Sequence, residues 1–136
     1  MKTIRLIVTL LFMLSITGMA LAQDKTGKIY VIRRTGMNGS AVNFRIYLDG
    51  ELICKMKNKS YSVHDVNQGE HTISVVSGGL PDSRSIIPVK FTVVSSKNNY
   101  FMINSGNELL CMETTQSAAE PMIAKSVQIK NCLVDK

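Results

Sequence analysis

The stretch from Val42 to Ser77 constrains this chain more than any other, because apolar residues recur there at every second position between short polar turns. Val42, Phe44, Ile46 and Leu48 alternate with Asn43, Arg45 and Tyr47; Asp49-Gly50 follows, and Leu52, Cys54 and Met56 resume the period. A period of two marks a strand with one face in a core and one in water. Asp-Gly is the signature of a type I′ hairpin turn, whose two central residues both take positive φ. Further reversals at residues 57–60 and at Asn67-Gln68-Gly69 predict a meander of about four strands.

The same reading extends to both sides. Residues 28–34, KIYVIRR, form a first strand with apolar side chains on both faces and Arg33 and Arg34 reaching solvent. Residues 35–40, TGMNGS, are a Gly-rich connection; they lack the spacing of a phosphate-binding loop and no helix follows. Strands are expected over 61–66, 70–77, 85–94, 99–104 and 108–113, with Pro88 forcing a bulge or an edge position because it has no N–H to donate. Tyr61 and Val63 are expected inward. A hairpin register that pairs Val63 with Ile73 and Tyr61 with Val75 keeps apolar side chains together and sets Asp65 opposite His71. Near the C-terminus, Ser117-Ala-Ala-Glu120 reads as the cap of a short helix over 117–125, with Pro121 tolerated only in its first turn. A closing strand over 127–133 is the alternative.

One domain accounts for 136 residues. Residues 1–22 read as a signal peptide: Lys2 and Arg5 precede an apolar run over 6–16, and Ala20-Leu21-Ala22 supplies small residues before the cut. The run is short for a membrane span, which takes roughly 20 residues, so no transmembrane anchor is expected after cleavage. Residues 23–27 form a polar leader and 28–136 the folded domain, secreted or periplasmic. Loss of Lys2 and Arg5 takes the formal charge from +6 to +4. Because the basic residues are spread along the chain, this charge reads first as a solubility device.

Export permits a disulfide. Cys54, Cys111 and Cys132 allow three pairings or none, and their spacing matches no metal or redox motif.

Several blocks together resemble a family of uncharacterised secreted proteins and lipoproteins of Gram-negative bacteria with a small prealbumin-like β-sandwich. They are Gly27 to Arg34, Val42 to Gly50, Lys57 to Tyr61, the closing block Lys97 to Phe101, and above all Gln68-Gly69-Glu70-His71-Thr72-Ile73. Family members carry Pro-Gly-x-His in that last block, and this chain has Gln68 in place of the proline. Many members are lipoproteins, whereas this leader offers no cysteine for a lipid. The resemblance implies a fold and no chemistry. Combined with the alternation, the expected fold is a small all-β antiparallel sandwich of seven to eight strands with one short C-terminal helix. Asp49, Gly50, Asp65, Gly69 and His71 are its structural turn and cross-strand residues.

Catalysis requires titratable groups converging in a cleft. A Cys54 pair with His64 or His71 is the nearest approach to a thiol or hydrolase site, and the expected strand faces separate them. No enzyme activity, cofactor or metal is therefore expected; two histidines alone are too few for a zinc site. Nucleic acid is an unsuitable partner, since basic and aromatic residues do not interleave along a strand. The expected role is a non-catalytic recognition or assembly module of the cell envelope that contacts a protein or glycan. Lys55, Lys57 and Lys59 are the candidate partner-binding residues. A carrier of a small apolar ligand is the alternative, and it needs a cavity above roughly 300 Å³.

Overall fold

The computed structural model describes residues 25–37, 40–78, 87–105 and 109–133. The signal peptide, the first two residues of the polar leader and most of the 78–83 turn lie outside them, as does part of the 105–107 turn. Nine strands and one helix are seen among the described residues: β1 Thr26–Arg33, β2 Phe44–Leu48, β3 Glu51–Met56, β4 Ser60–Asn67, β5 Gly69–Ser77, β6 Val89–Val93, β7 Asn98–Ser105, β8 Leu109–Thr114, α1 Gln116–Ala124 and β9 Val127–Gln128. They form two stacked sheets, ordered β8-β7-β1-β4-β9 and β3-β2-β5-β6. The pairings are antiparallel except β1 with β7 and β4 with β9, which are parallel. The result is an all-β sandwich with one C-terminal helix.

Alternation builds the core directly. Ile29 and Val31 of one sheet meet Ile46, Ile73 and Val75 of the other, all fully buried, and Phe91 stacks edge-on against Phe101 at 4.7 Å between centroids. Asp49 and Gly50 take φ of 50° and 81°, as a type I′ turn requires. Beyond this hairpin β3 carries an irregularity. Ile46 faces Cys54 but Tyr47 faces Leu52, so Ile53 is the extra residue. Such a bulge reverses the faces on one side of it. Leu52 thus stands beside Tyr47 and away from the core, contrary to the simple alternation, while Ile53 packs on the core.

The largest departure from the sequence reading lies at Asn67-Gln68-Gly69. It is a corner between sheets, not a hairpin turn. β4 pairs with β1, and β5 pairs with β2 and β6. Gly69 takes φ of 139°, a backbone conformation that side chains disfavour, and the Gln68 N–H donates to the Lys25 carbonyl at 2.8 Å. Asp65 consequently does not meet His71. It pairs with Lys28 across β1 at 2.6 Å, in an exposed ion pair of small energetic weight. The faces of β4 are also the reverse of those expected. Ser60, Ser62 and Val66 are buried between the sheets, and Tyr61 and Val63 lie on the outer face.

That outer face explains the inversion. Ile32, Tyr61 and Tyr100 form a second apolar layer, with Tyr30 stacked on Tyr100 at 4.9 Å, and α1 covers it through Ala119, Met122 and Ile123. The cap of α1 is Thr115, which accepts from the Ala118 N–H, and Pro121 lies in the second turn instead of the first. Docking of one apolar stripe on the sheet sustains so short a helix against this break. The helix forms, and of the alternative closing strand over 127–133 only Val127–Gln128 is strand, paired parallel to β4. In β6 the ladder begins only after Pro88, and Ile87 is exposed instead of aligned with Val89 and Phe91. Arg33 was expected in solvent and is fully buried. Its guanidinium lies 3.6 Å over the Phe44 ring and donates to the Met56 carbonyl.

Candidate functional site

Three places gather polar chemistry. The first is His71, at the start of β5. Its Nδ1 lies 2.6 Å from the Asp49 carboxylate and its Nε2 lies 2.8 Å from the Asn67 carbonyl. Both partners are acceptors, so the two contacts are satisfied together only when both ring nitrogens carry protons, as in the imidazolium. The other Asp49 oxygen accepts from the Thr72 N–H at 2.8 Å. One side chain thereby ties the β2–β3 hairpin turn to the corner between β4 and β5, which gives the Gly-x-His block a structural meaning.

The Asp49 contact, ahead of the smaller opposing effect of burial, raises the His71 pKa above its ordinary 6.5, and the His71 contact lowers Asp49 below 3.8. A raised histidine contributes stability fully below its unfolded value and loses it as pH rises through the folded one. A lowered carboxylate contributes above its unfolded value and loses it as pH falls through the folded one. The advantage of wild type over His71→Gln in urea midpoint is therefore expected to be largest between about pH 4 and 6.5 and to shrink on both sides. About 1 kcal/mol is expected at the maximum, since Asp49 is half exposed. A difference that does not vary from pH 4 to 9 would contradict the imidazolium assignment.

The second place is the edge of β3. Cys54 and Cys132 form a disulfide with a Cα separation of 4.4 Å, and Cys111 is left as a buried thiol whose pKa is pushed up to about 12 by burial. The Lys55 N–H donates to the Cys132 carbonyl at 2.9 Å, so the C-terminal segment covers this edge. His64 was expected to point away from Cys54. Because β4 presents the opposite face, the structure brings a ring nitrogen of His64 and both sulfurs within 4.8 Å of one another. The ring is held by a 2.9 Å hydrogen bond to buried Ser62, and burial keeps its pKa below the ordinary value. A cavity of about 540 Å³ adjoins, lined among others by His64, Gln128, Asn131 and Cys132.

The third place is the end of the sandwich where the β1–β2 loop meets the β3–β4 turn. Asn58 joins them: its amide nitrogen donates to the Gly36 carbonyl and its oxygen accepts from Thr35, both at 3.2 Å. Lys59 takes positive φ, and its N–H donates to the same Asn58 oxygen at 2.9 Å. The two segments enclose a cleft of about 360 Å³ lined by Arg34, Thr35, Gly36, Met37, Ser40, Asn58 and Lys59. Among the described residues its lining includes two cations and no carboxylate. Lys57 and Lys59 are exposed at this turn, whereas Lys55 is half buried in β3 opposite Arg45. The sequence singled out the three lysines. It missed Arg34, because only the fold brings residues 34–37 against residues 58–59.

No helix among the described residues is long and apolar enough to cross a membrane. A protein-family model described as a protein of unknown function (DUF2846) matches residues 23–114. No curated protein and no solved structure matches the chain.

Proposed function

Since the chain belongs to the DUF2846 family, whose description assigns no activity, we propose from its geometry that it is a non-catalytic recognition module of the cell envelope. It binds an anionic protein or glycan at the Arg34, Lys57 and Lys59 end. The carrying observation is the cleft itself, in which two segments tied by Asn58 gather cations with no carboxylate among the described lining residues. Asn58 holds residues 35 and 36 against the β3–β4 turn before any partner arrives, which lowers the ordering cost of binding.

Three observations support action without catalysis. Both nitrogens of His71 are committed, Cys54 and Cys132 are bonded to each other, and the Cys111 thiol is buried and hard to ionise. The disulfide supports residence in an oxidising compartment, as the envelope reading requires. The carrier alternative needs its cavity between the sheets, and that space is filled by buried side chains, the 540 Å³ cavity adjoining the β3 edge instead.

Binding of a uronic-acid oligosaccharide and of an oligoglutamate peptide, measured by calorimetry at low and high salt, tests the reading. At least one probe is expected to bind, more weakly as salt rises. The triple variant Arg34→Glu, Lys57→Glu, Lys59→Glu is expected to weaken it by about tenfold or more. Equal binding by wild type and variant, or binding of neither probe, would overturn the proposal.

A further inference from the structure

We propose that reduction of the Cys54–Cys132 disulfide converts the β3 edge into a metal site, where Cys54, Cys132 and His64 hold one thiophilic divalent cation, zinc foremost. The disulfide alone requires no histidine. Yet His64 is directed from β4 to the same point that Cys54 reaches from β3 and Cys132 from the C-terminal segment, all donor atoms lying within 4.8 Å. Two sulfurs and one imidazole nitrogen form the donor set that zinc takes in sites with three protein ligands and one open position. Thiolate ligands favour such soft or borderline ions over magnesium or calcium.

The geometry needs little rearrangement. Zinc bonds of about 2.3 Å to sulfur and about 2.0 Å to nitrogen place the donors of a tetrahedral site roughly 3.3–3.8 Å apart. The sulfurs must therefore move apart and the imidazole must close in. Cys54 is fixed in a strand with no exposed surface, and His64 is oriented by Ser62. A hydrogen bond at the ring nitrogen that does not ligate fixes an imidazole and strengthens binding, so the Ser62 contact at Nε2 serves a site that uses Nδ1. Cys132, flanked by exposed Asn131 and Leu133, has room to shift, while its carbonyl stays tied to the Lys55 N–H after the sulfur bond breaks. The 540 Å³ cavity that adjoins His64 and Cys132, its lining including Gln128 and Asn131, leaves room for a water as fourth ligand.

The chemistry balances with a dithiol as reductant. The dithiol supplies two electrons and two protons, the Cys54–Cys132 bond breaks to two thiols, and the reductant closes its own disulfide. One divalent cation then displaces the two thiol protons to solvent. Oxidation by a disulfide of higher potential reverses the sequence and releases the ion.

Cobalt(II) is the probe, added without oxygen to the full chain before and after dithiol treatment and removal of the reductant. Reduced protein is expected to bind one cobalt per chain, with near-ultraviolet sulfur-to-cobalt absorption that zinc displaces, and oxidised protein to show neither. His64→Ala is expected to weaken cobalt binding by about tenfold or more, while its oxidised form keeps the wild-type circular dichroism. If reduction unfolds the chain, cobalt is expected to restore the β signal, because the binding free energy then drives folding. No binding after reduction, no restoration of an unfolded chain, or equal affinity in His64→Ala would overturn the site.

Discussion

Arg33→Ala is expected to lower the unfolding free energy by about 3–5 kcal/mol, enough to unfold much of a small domain's population. Arg33 is the largest side chain without exposed surface, and two losses combine when it is truncated. Its stem and guanidinium leave a void beside Phe44, and the Met56 carbonyl loses its donor in a dry environment. The charge itself is not the source of the effect. Burial depresses the Arg33 pKa to about 10, so the folded state bears a desolvation cost for holding the cation. Arg33→Met keeps much of the volume and removes that cost, and is expected to lose only about 1–2 kcal/mol. Urea denaturation of the three proteins at pH 7 checks both numbers. Equal losses for Ala and Met would show that the positive charge, not the packing, carries the stability.

Cys132→Ser is expected to cost about 2–4 kcal/mol. The bridge spans 78 residues of sequence, so in the unfolded chain it closes a loop that contains most of the sandwich. The chain-entropy relation gives about 4.5 kcal/mol for such a loop, and native geometry usually returns somewhat less. The bridge also anchors the segment that covers β3 at the Lys55 N–H, so its loss exposes that edge. Wild type denatured in dithiothreitol and a metal chelator is expected to match Cys132→Ser within about 0.5 kcal/mol. A variant as stable as the oxidised wild type would place no stability in the bridge.

Period-two alternation located the strands because burial on one face is a local property of sequence. The Asp49-Gly50 turn was legible for the same reason, since the positive φ values that a type I′ turn requires are ones these two residues tolerate. The corner at Gly69 was not. A hairpin and a sheet-to-sheet crossing use similar residues, and only β1, arriving from residues 26–33, decides which neighbour β4 pairs with. From that one misassignment follow the wrong partner for Asp65, the wrong face for Tyr61 and Val63, and the distance imagined between Cys54 and His64. The outer face of β4 is apolar because α1 covers it, a contact made by residues more than fifty positions away. Arg33 reads as a surface residue by composition, and nothing local announces that an aromatic face and a carbonyl wait for it. At the cleft, Lys57 and Lys59 were visible as a charged turn, while Arg34 and the Gly-rich loop join them only through Asn58.

An acidic partner is expected to be held in that cleft. Amide chemical-shift mapping with the uronic-acid oligosaccharide or oligoglutamate tests it residue by residue. The expected result is a set of saturable shifts confined to residues 34–37, 40 and 57–59. Shifts centred on Asp49, His71 and Lys90, or scattered over lysines throughout the surface, would contradict it.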